Sequence, residues 1–124
     1  MRAIPKISDA EWEIMSVIWK NPKALTSQEI IDAVAGRQKW HPKTVRTLLT
    51  RLAKKDAVGF EKEGRGYLYR ALVTKKDCVR AVSQSFLDRV FGGSLKPMLA
   101  HFVREKEISK AELEELKRLL KGRK

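Results

Sequence analysis

The sequence predicts a mainly α fold with a small β-wing, a winged helix-turn-helix domain over residues 1–73 followed by a three-helix dimerisation region over 74–124. Three observations carry this expectation: two capped amphipathic helices, a third helix with one apolar and one cationic face, and a GRG turn between two short alternating runs. A chain of 124 residues has room for one compact domain or a small one with an appendage, and its net charge of +12 favours a polyanionic partner.

The first helix follows Ser8, which with Glu11 has capping-box spacing, and Ile14, Met15, Val17, Ile18 and Trp19 give it a broad apolar face before Asn21-Pro22 ends it. Thr26 and Glu29 repeat the device for a second helix, with Ile30, Ile31 and Val34 facing inward and Gly36 as the stop. The third runs from Pro42 to Lys55. Val45, Leu48, Leu49, Leu52 and Ala53 fall on one side at 3.6 residues per turn, and Lys43, Arg46, Thr47, Thr50, Arg51 and Lys54 on the other. Pro42 suits the first helical position, where a missing N–H costs nothing. Seven Lys or Arg and no Asp or Glu lie between Arg37 and Lys55, whereas a merely hydrated helix mixes signs. Cations with interspersed hydroxyls fit a major groove, where they meet phosphates and base edges.

Val58–Glu63 and Tyr67–Val73 alternate as short strands, the second placing Tyr67, Tyr69, Ala71 and Val73 on one side. Gly64-Arg65-Gly66 joins them, leaving Arg65 as the side chain at the tip, either reaching a phosphate, entering the minor groove or serving as an ordinary loop arginine. Candidate DNA contacts are therefore Lys43, Thr44, Arg46, Thr47, Thr50, Arg51 and Lys54, with His41 before the helix, Arg65 on the wing, and Thr26 and Ser27 at the second helix's start. Thr26 serves equally well as a cap alone. Trp40 is expected to pack.

Thr74 with Asp77 begins a fourth helix with Val79, Val82, Phe86, Leu87 and Val90; Ser94 is expected to cap a fifth, and Ser109 with Glu112 a sixth. Three such helices make a marginal core and need a partner surface. A second copy offers one, through Val82, Phe86, Val90, Leu95, Leu99, Phe102, Leu113, Leu116 and Leu120; folding back on the same protomer is the other option. Each half carries a net charge of +6, so the basic character is not confined to the candidate reading domain.

No apolar run approaches the ~20 residues that span a bilayer, and Asp9, Glu11 and Glu13 lie where a signal peptide is apolar, so a cytoplasmic protein without stable membrane association is expected. The single Cys78 forms no intrachain disulfide and is expected in or beside the core. Neither CxxC nor HExxH occurs, and no nucleophile-base spacing or phosphate loop is present; no catalytic residue, metal or cofactor is expected. The residues leave a winged-helix module for protein or structured RNA as the alternative to a DNA-reading one.

With these elements in place the sequence resembles the BlaI/MecI/CopY family, the penicillinase and methicillin-resistance repressors. The resemblance lies in ISDAEWEIMSVIW (7–19), WHPKTVRTLLTRLAKKDAV (40–58), YLYRALV (67–73) and LAHFVREKEISKAELEELKRLL (99–120). It implies a homodimeric repressor on an inverted-repeat operator, with the C-terminal helices interlocked between protomers. It also implies derepression through a membrane-bound sensor metalloprotease, acting directly or indirectly, by cleavage in the fifth helix at the junction matching His101-Phe102. The β-lactam-responsive members carry Asn ahead of that Phe, and this chain carries His101. The paired CxC motifs of the copper-responsive branch are absent.

Overall fold

The structure, a computed structural model, describes residues 4–121, the side chains of Leu120 and Lys121 excepted. Its elements are α1 (Asp9–Lys20), β1 (Leu25–Thr26), α2 (Ser27–Ala35), α3 (Pro42–Lys54), β2 (Val58–Glu63), β3 (Gly66–Ala71), α4 (Lys75–Phe91), α5 (Leu95–Arg104) and α6 (Lys110–Lys121). The chain forms two compact units whose boundary falls inside α4, between Val82 and Ser83. It lies beyond the expected 73/74 junction because Cys78, in the first turns of α4, is buried in the first unit's core.

Both N-terminal capping boxes form. Ser8 Oγ accepts from the Glu11 N–H at 3.2 Å while Glu11 Oε1 accepts from the Ser8 N–H at 2.8 Å, and Thr26 and Glu29 do the same at 3.1 and 2.9 Å. Gly36 does cap α2, but at φ −73°, so the stop makes no use of glycine's conformational freedom. The left-handed stop comes instead after α3, at Asp56 with φ 61°. There the Asp56 N–H donates to the Ala53 carbonyl at 3.1 Å and the Ala57 N–H to that of Leu52 at 2.9 Å, a Schellman closure without glycine.

The core joins Ile14, Met15, Val17 and Ile18 of α1, Ile30, Ile31 and Val34 of α2, and Val45, Leu48, Leu49 and Leu52 of α3 with Val58, Val73 and Cys78. Trp40 packs against it, as do Trp12 and Trp19, which meet edge to face at 5.3 Å. The strands form one antiparallel sheet in the order β1-β3-β2. β1, two residues long, carries too little alternation to be visible in the sequence. β3 ends at Ala71 instead of continuing to Val73, since Val73 leaves the sheet, buries its side chain and accepts a 3.0 Å hydrogen bond from Trp19 Nε1. Glu63 pairs with Gly66, so the wing turns on Gly64 and Arg65 alone, with positive φ (61°) at Gly64 only.

In the second unit Ser109 and Glu112 form the expected capping box, at 3.0 and 3.1 Å. Ser94 stands at the N-cap of α5, but its side chain makes no capping bond, which departs from expectation: position alone does not orient the hydroxyl. Lys106, at φ 57°, closes α5 in the left-handed form. Among the described residues of this unit, no side chain is buried.

Candidate nucleic-acid interface

The geometry of α3 follows from its two faces. Burial of Val45, Leu48, Leu49 and Leu52 turns Lys43, Thr44, Arg46, Thr47, Thr50, Arg51 and Lys54 outward, and all seven are exposed. Among the described residues, the side chains of Lys43, Arg46, Arg51 and Lys54 have no ion-pair or hydrogen-bond partner. Thr47 Oγ1 donates to the Lys43 carbonyl and Thr50 Oγ1 to that of Arg46, both at 3.0 Å, so the hydroxyl protons are turned back onto the helix and lone pairs and methyls face outward. His41, Lys43, Thr44, Thr47 and Arg51 line one shallow hollow over Leu48. His41 is the N-cap: its Nδ1 accepts from the Lys43 N–H at 3.0 Å, a role that the sequence reading missed because histidine is not among the usual capping residues.

Two of the seven cations counted between Arg37 and Lys55 are engaged within the fold. Arg37 pairs with Glu13 at 3.2 Å, and Lys55 Nζ binds the Glu11 carboxylate and, at 2.8 Å, the Lys6 carbonyl. Burial of Glu11 acts to raise its pKa, but the hydrogen bonds from Lys55 and Ser8 and the Lys55 charge outweigh it and hold the carboxyl below its ordinary value. The α1 start is thereby tied to the end of α3.

Thr26 spends its acceptor and its N–H on its own capping box, leaving the hydroxyl proton and half-buried Ser27 at the α2 start. Arg65 is exposed at the wing tip. Behind it Phe60, 53% exposed, and Tyr67, 43% exposed, meet edge to face at 5.3 Å, with Tyr69 6.0 Å from Phe60. Tyr67, Tyr69 and Ala71 share one side of β3, yet the core extends under only the inner part of the sheet: Val58 is buried and Tyr69 and Ala71 pack against the core, while Phe60 and Tyr67 stay exposed. Burial, with Asp77 adding to it, raises the Cys78 thiol's pKa, the state of a packing residue and not of a reactive thiolate.

The residues expected to pair protomers lie largely uncovered. Val82, Phe86, Val90, Leu95 and Leu116 are exposed, Leu99, Phe102 and Leu113 half-buried, and the side chain of Leu120 lies outside the described residues. His101 is exposed on α5, its ring 5.5 Å from that of Phe102. Among the described residues, no group of three or more His, Cys, Asp or Glu is placed to hold a metal, and no helix is long and apolar enough to cross a membrane.

A three-helix core that presents an unpaired cationic helix beside a two-stranded wing is a winged helix-turn-helix domain of the DNA-binding class. The chain belongs to the penicillinase repressor family, which it matches over residues 7–122, and is thus a transcription regulator and not an enzyme. It is 39% identical over 124 residues to the penicillinase repressor of Bacillus licheniformis, covering 100% of this chain and 96% of that one. To the methicillin resistance regulatory protein MecI of Staphylococcus aureus (strain N315) it is 36% identical over 115 residues, 93% of each chain. The solution structure of the DNA binding domain of the repressor BlaI superimposes with a TM-score of 0.56 at 43% identity, covering 62% of this chain and 93% of that one. The monomeric form of Bacillus licheniformis BlaI in complex with the blaP half-operator gives 0.53 at the same identity and coverage.

Proposed function

We propose that the chain is a homodimeric repressor that places α3 in the major groove of a palindromic operator and its Gly64–Gly66 wing on the flanking backbone. The observation that carries this reading is the outward face of α3, where Lys43, Arg46, Arg51 and Lys54 stand without an acidic partner among the described residues. Arg46 and Arg51 reach base edges, Lys43 and Lys54 meet phosphates, and Thr44, Thr47 and Thr50 present methyls and lone pairs to the groove. Arg65, Thr26, Ser27 and His41 hold the backbone on either side.

The relative solved on a half-operator is a monomer, which fits one protomer per half-site. Residues 74–124 bring the second protomer through the uncovered apolar residues of α4, α5 and α6. Binding of the first half-site then raises the second reader to an effective concentration of roughly millimolar, given a short connection. Repression follows from occupancy of DNA that polymerase needs. Derepression near His101-Phe102, driven by a membrane-bound sensor metalloprotease, fits the junction's place in α5, since a cut there separates the two halves of the pairing surface.

Selection of duplexes from random-sequence DNA with the purified protein should recover an inverted repeat, and preference for structured RNA in competition would overturn the reading. Arg46→Ala should weaken binding of the recovered duplex by about 1–3 kcal/mol and relax one position of its sequence. Truncation after His101 should give monomers on sedimentation, with much weaker binding. Mass spectrometry of the protein from induced cells would place the cleavage, and an intact chain during full derepression would remove proteolysis from the mechanism.

A further inference from the structure

The N-terminus of α3 has an unusual hydrogen-bond inventory. Pro42 has no N–H, the Lys43 N–H is given to His41 Nδ1 at 3.0 Å, and the Thr44 and Val45 N–H groups go to the His41 carbonyl at 2.9 and 3.4 Å. The backbone donors with which a helix start ordinarily greets a phosphate are thus spent. A nitrogen that accepts from a backbone N–H carries no proton of its own, so the cap fixes the neutral imidazole with its hydrogen on Nε2. A capping serine turns its acceptor inward and offers little beyond it. The imidazole has a second nitrogen on its far side, and this ring is exposed in the same hollow as Lys43, Thr44, Thr47 and Arg51.

We propose that His41 is a positioning residue and a DNA contact at once: Nδ1 caps the reading helix, and the Nε2–H thereby fixed donates to a backbone phosphate oxygen at the groove edge. The inference rests on α3 reading duplex DNA and adds the protonation form and the atom that make the contact. A neutral donor adds affinity without the counterion release that accompanies a lysine or arginine contact.

The chain holds two histidines, so histidine-selective 15N labelling gives two imidazoles, and His101→Gln assigns them. For the full chain bound to a duplex selected from random-sequence DNA, His41 Nδ1 should resonate as an unprotonated nitrogen and the Nε2–H should be protected from solvent exchange. His41→Ser retains a capping acceptor but has no group that extends as far as Nε2, and should bind the duplex about three- to ten-fold more weakly, the range of one neutral hydrogen bond. Its slope of log affinity against log salt should match the wild type. His41→Ala, lacking the cap as well, should bind more weakly still, with an unchanged circular dichroism spectrum because the ring is exposed. Wild-type affinity in His41→Ser, a protonated Nδ1 in the complex, or a salt slope shallower by about 0.9 would each overturn the inference. Failure of the wild type to select any duplex would instead overturn the operator reading itself.

Discussion

Glu11 is the one buried charged side chain among the described residues, and its Oε1 serves both the α1 cap and Lys55 while Oε2 lies buried without a partner there. Removing it strands the cap and the ammonium together, so Glu11→Ala should cost about 2–3 kcal/mol in chemical denaturation. Because the folded carboxyl titrates below its ordinary value of 4.5, its contribution is complete above that value and is lost as pH falls through the lowered one. Stability measured from pH 6 downward should therefore decline more steeply in the wild type than in Glu11→Ala, and parallel curves would refute the assignment. The Ser8–Glu11 spacing made the cap legible. The Lys55 partnership was not, because nothing local links two residues 44 positions apart.

At the scale of elements, the legible features were those written in short repeats. Capping boxes and the two-faced α3 need three or four residues of context, and they formed where the spacing put them. The stops were harder: Asp56 and Lys106 adopt a conformation that sequence reasoning assigns to glycine, and Gly36 does not adopt it. At the wing, Gly64 has positive φ with open space where a side chain would project. Gly64→Ala should thus cost only the backbone term, about 1–2 kcal/mol by thermal unfolding, with α3 unaffected. Arg65→Ala should leave stability unchanged yet flatten the salt dependence of operator binding by about 0.9. An unaltered slope would make Arg65 an ordinary loop residue. The exposed Phe60–Tyr67 pair escaped the sequence because alternation tells which face a residue takes and not how far the core extends beneath it.

For the molecule as a whole, the buried hydrophobic residues described lie between Ile14 and Cys78. A fragment of residues 1–82 should unfold cooperatively as a monomer, and one ending at 73 should be less stable by about 1–3 kcal/mol for want of the packing Cys78 supplies. Equal midpoints for the two fragments would place the boundary where the sequence put it. Helical periodicity marks where α4 starts but says nothing about which of its turns belong to which core. The candidate DNA contacts were legible because surface charge is a property of the residues themselves, whereas His41's capping needed the backbone of α3 in place.

The second unit has no buried side chain of its own among the described residues, so the lifetime of the proposed repressor would follow its pairing. Below the concentration at which protomers find each other, α5, α6 and the later turns of α4 would lie open to proteases, and synthesis would end in turnover. Above it the proposed pairing would cover the same residues and the protein would persist. The cell's stock would then rise with a threshold, so that dilution at division and recovery afterwards set how long silencing is remembered.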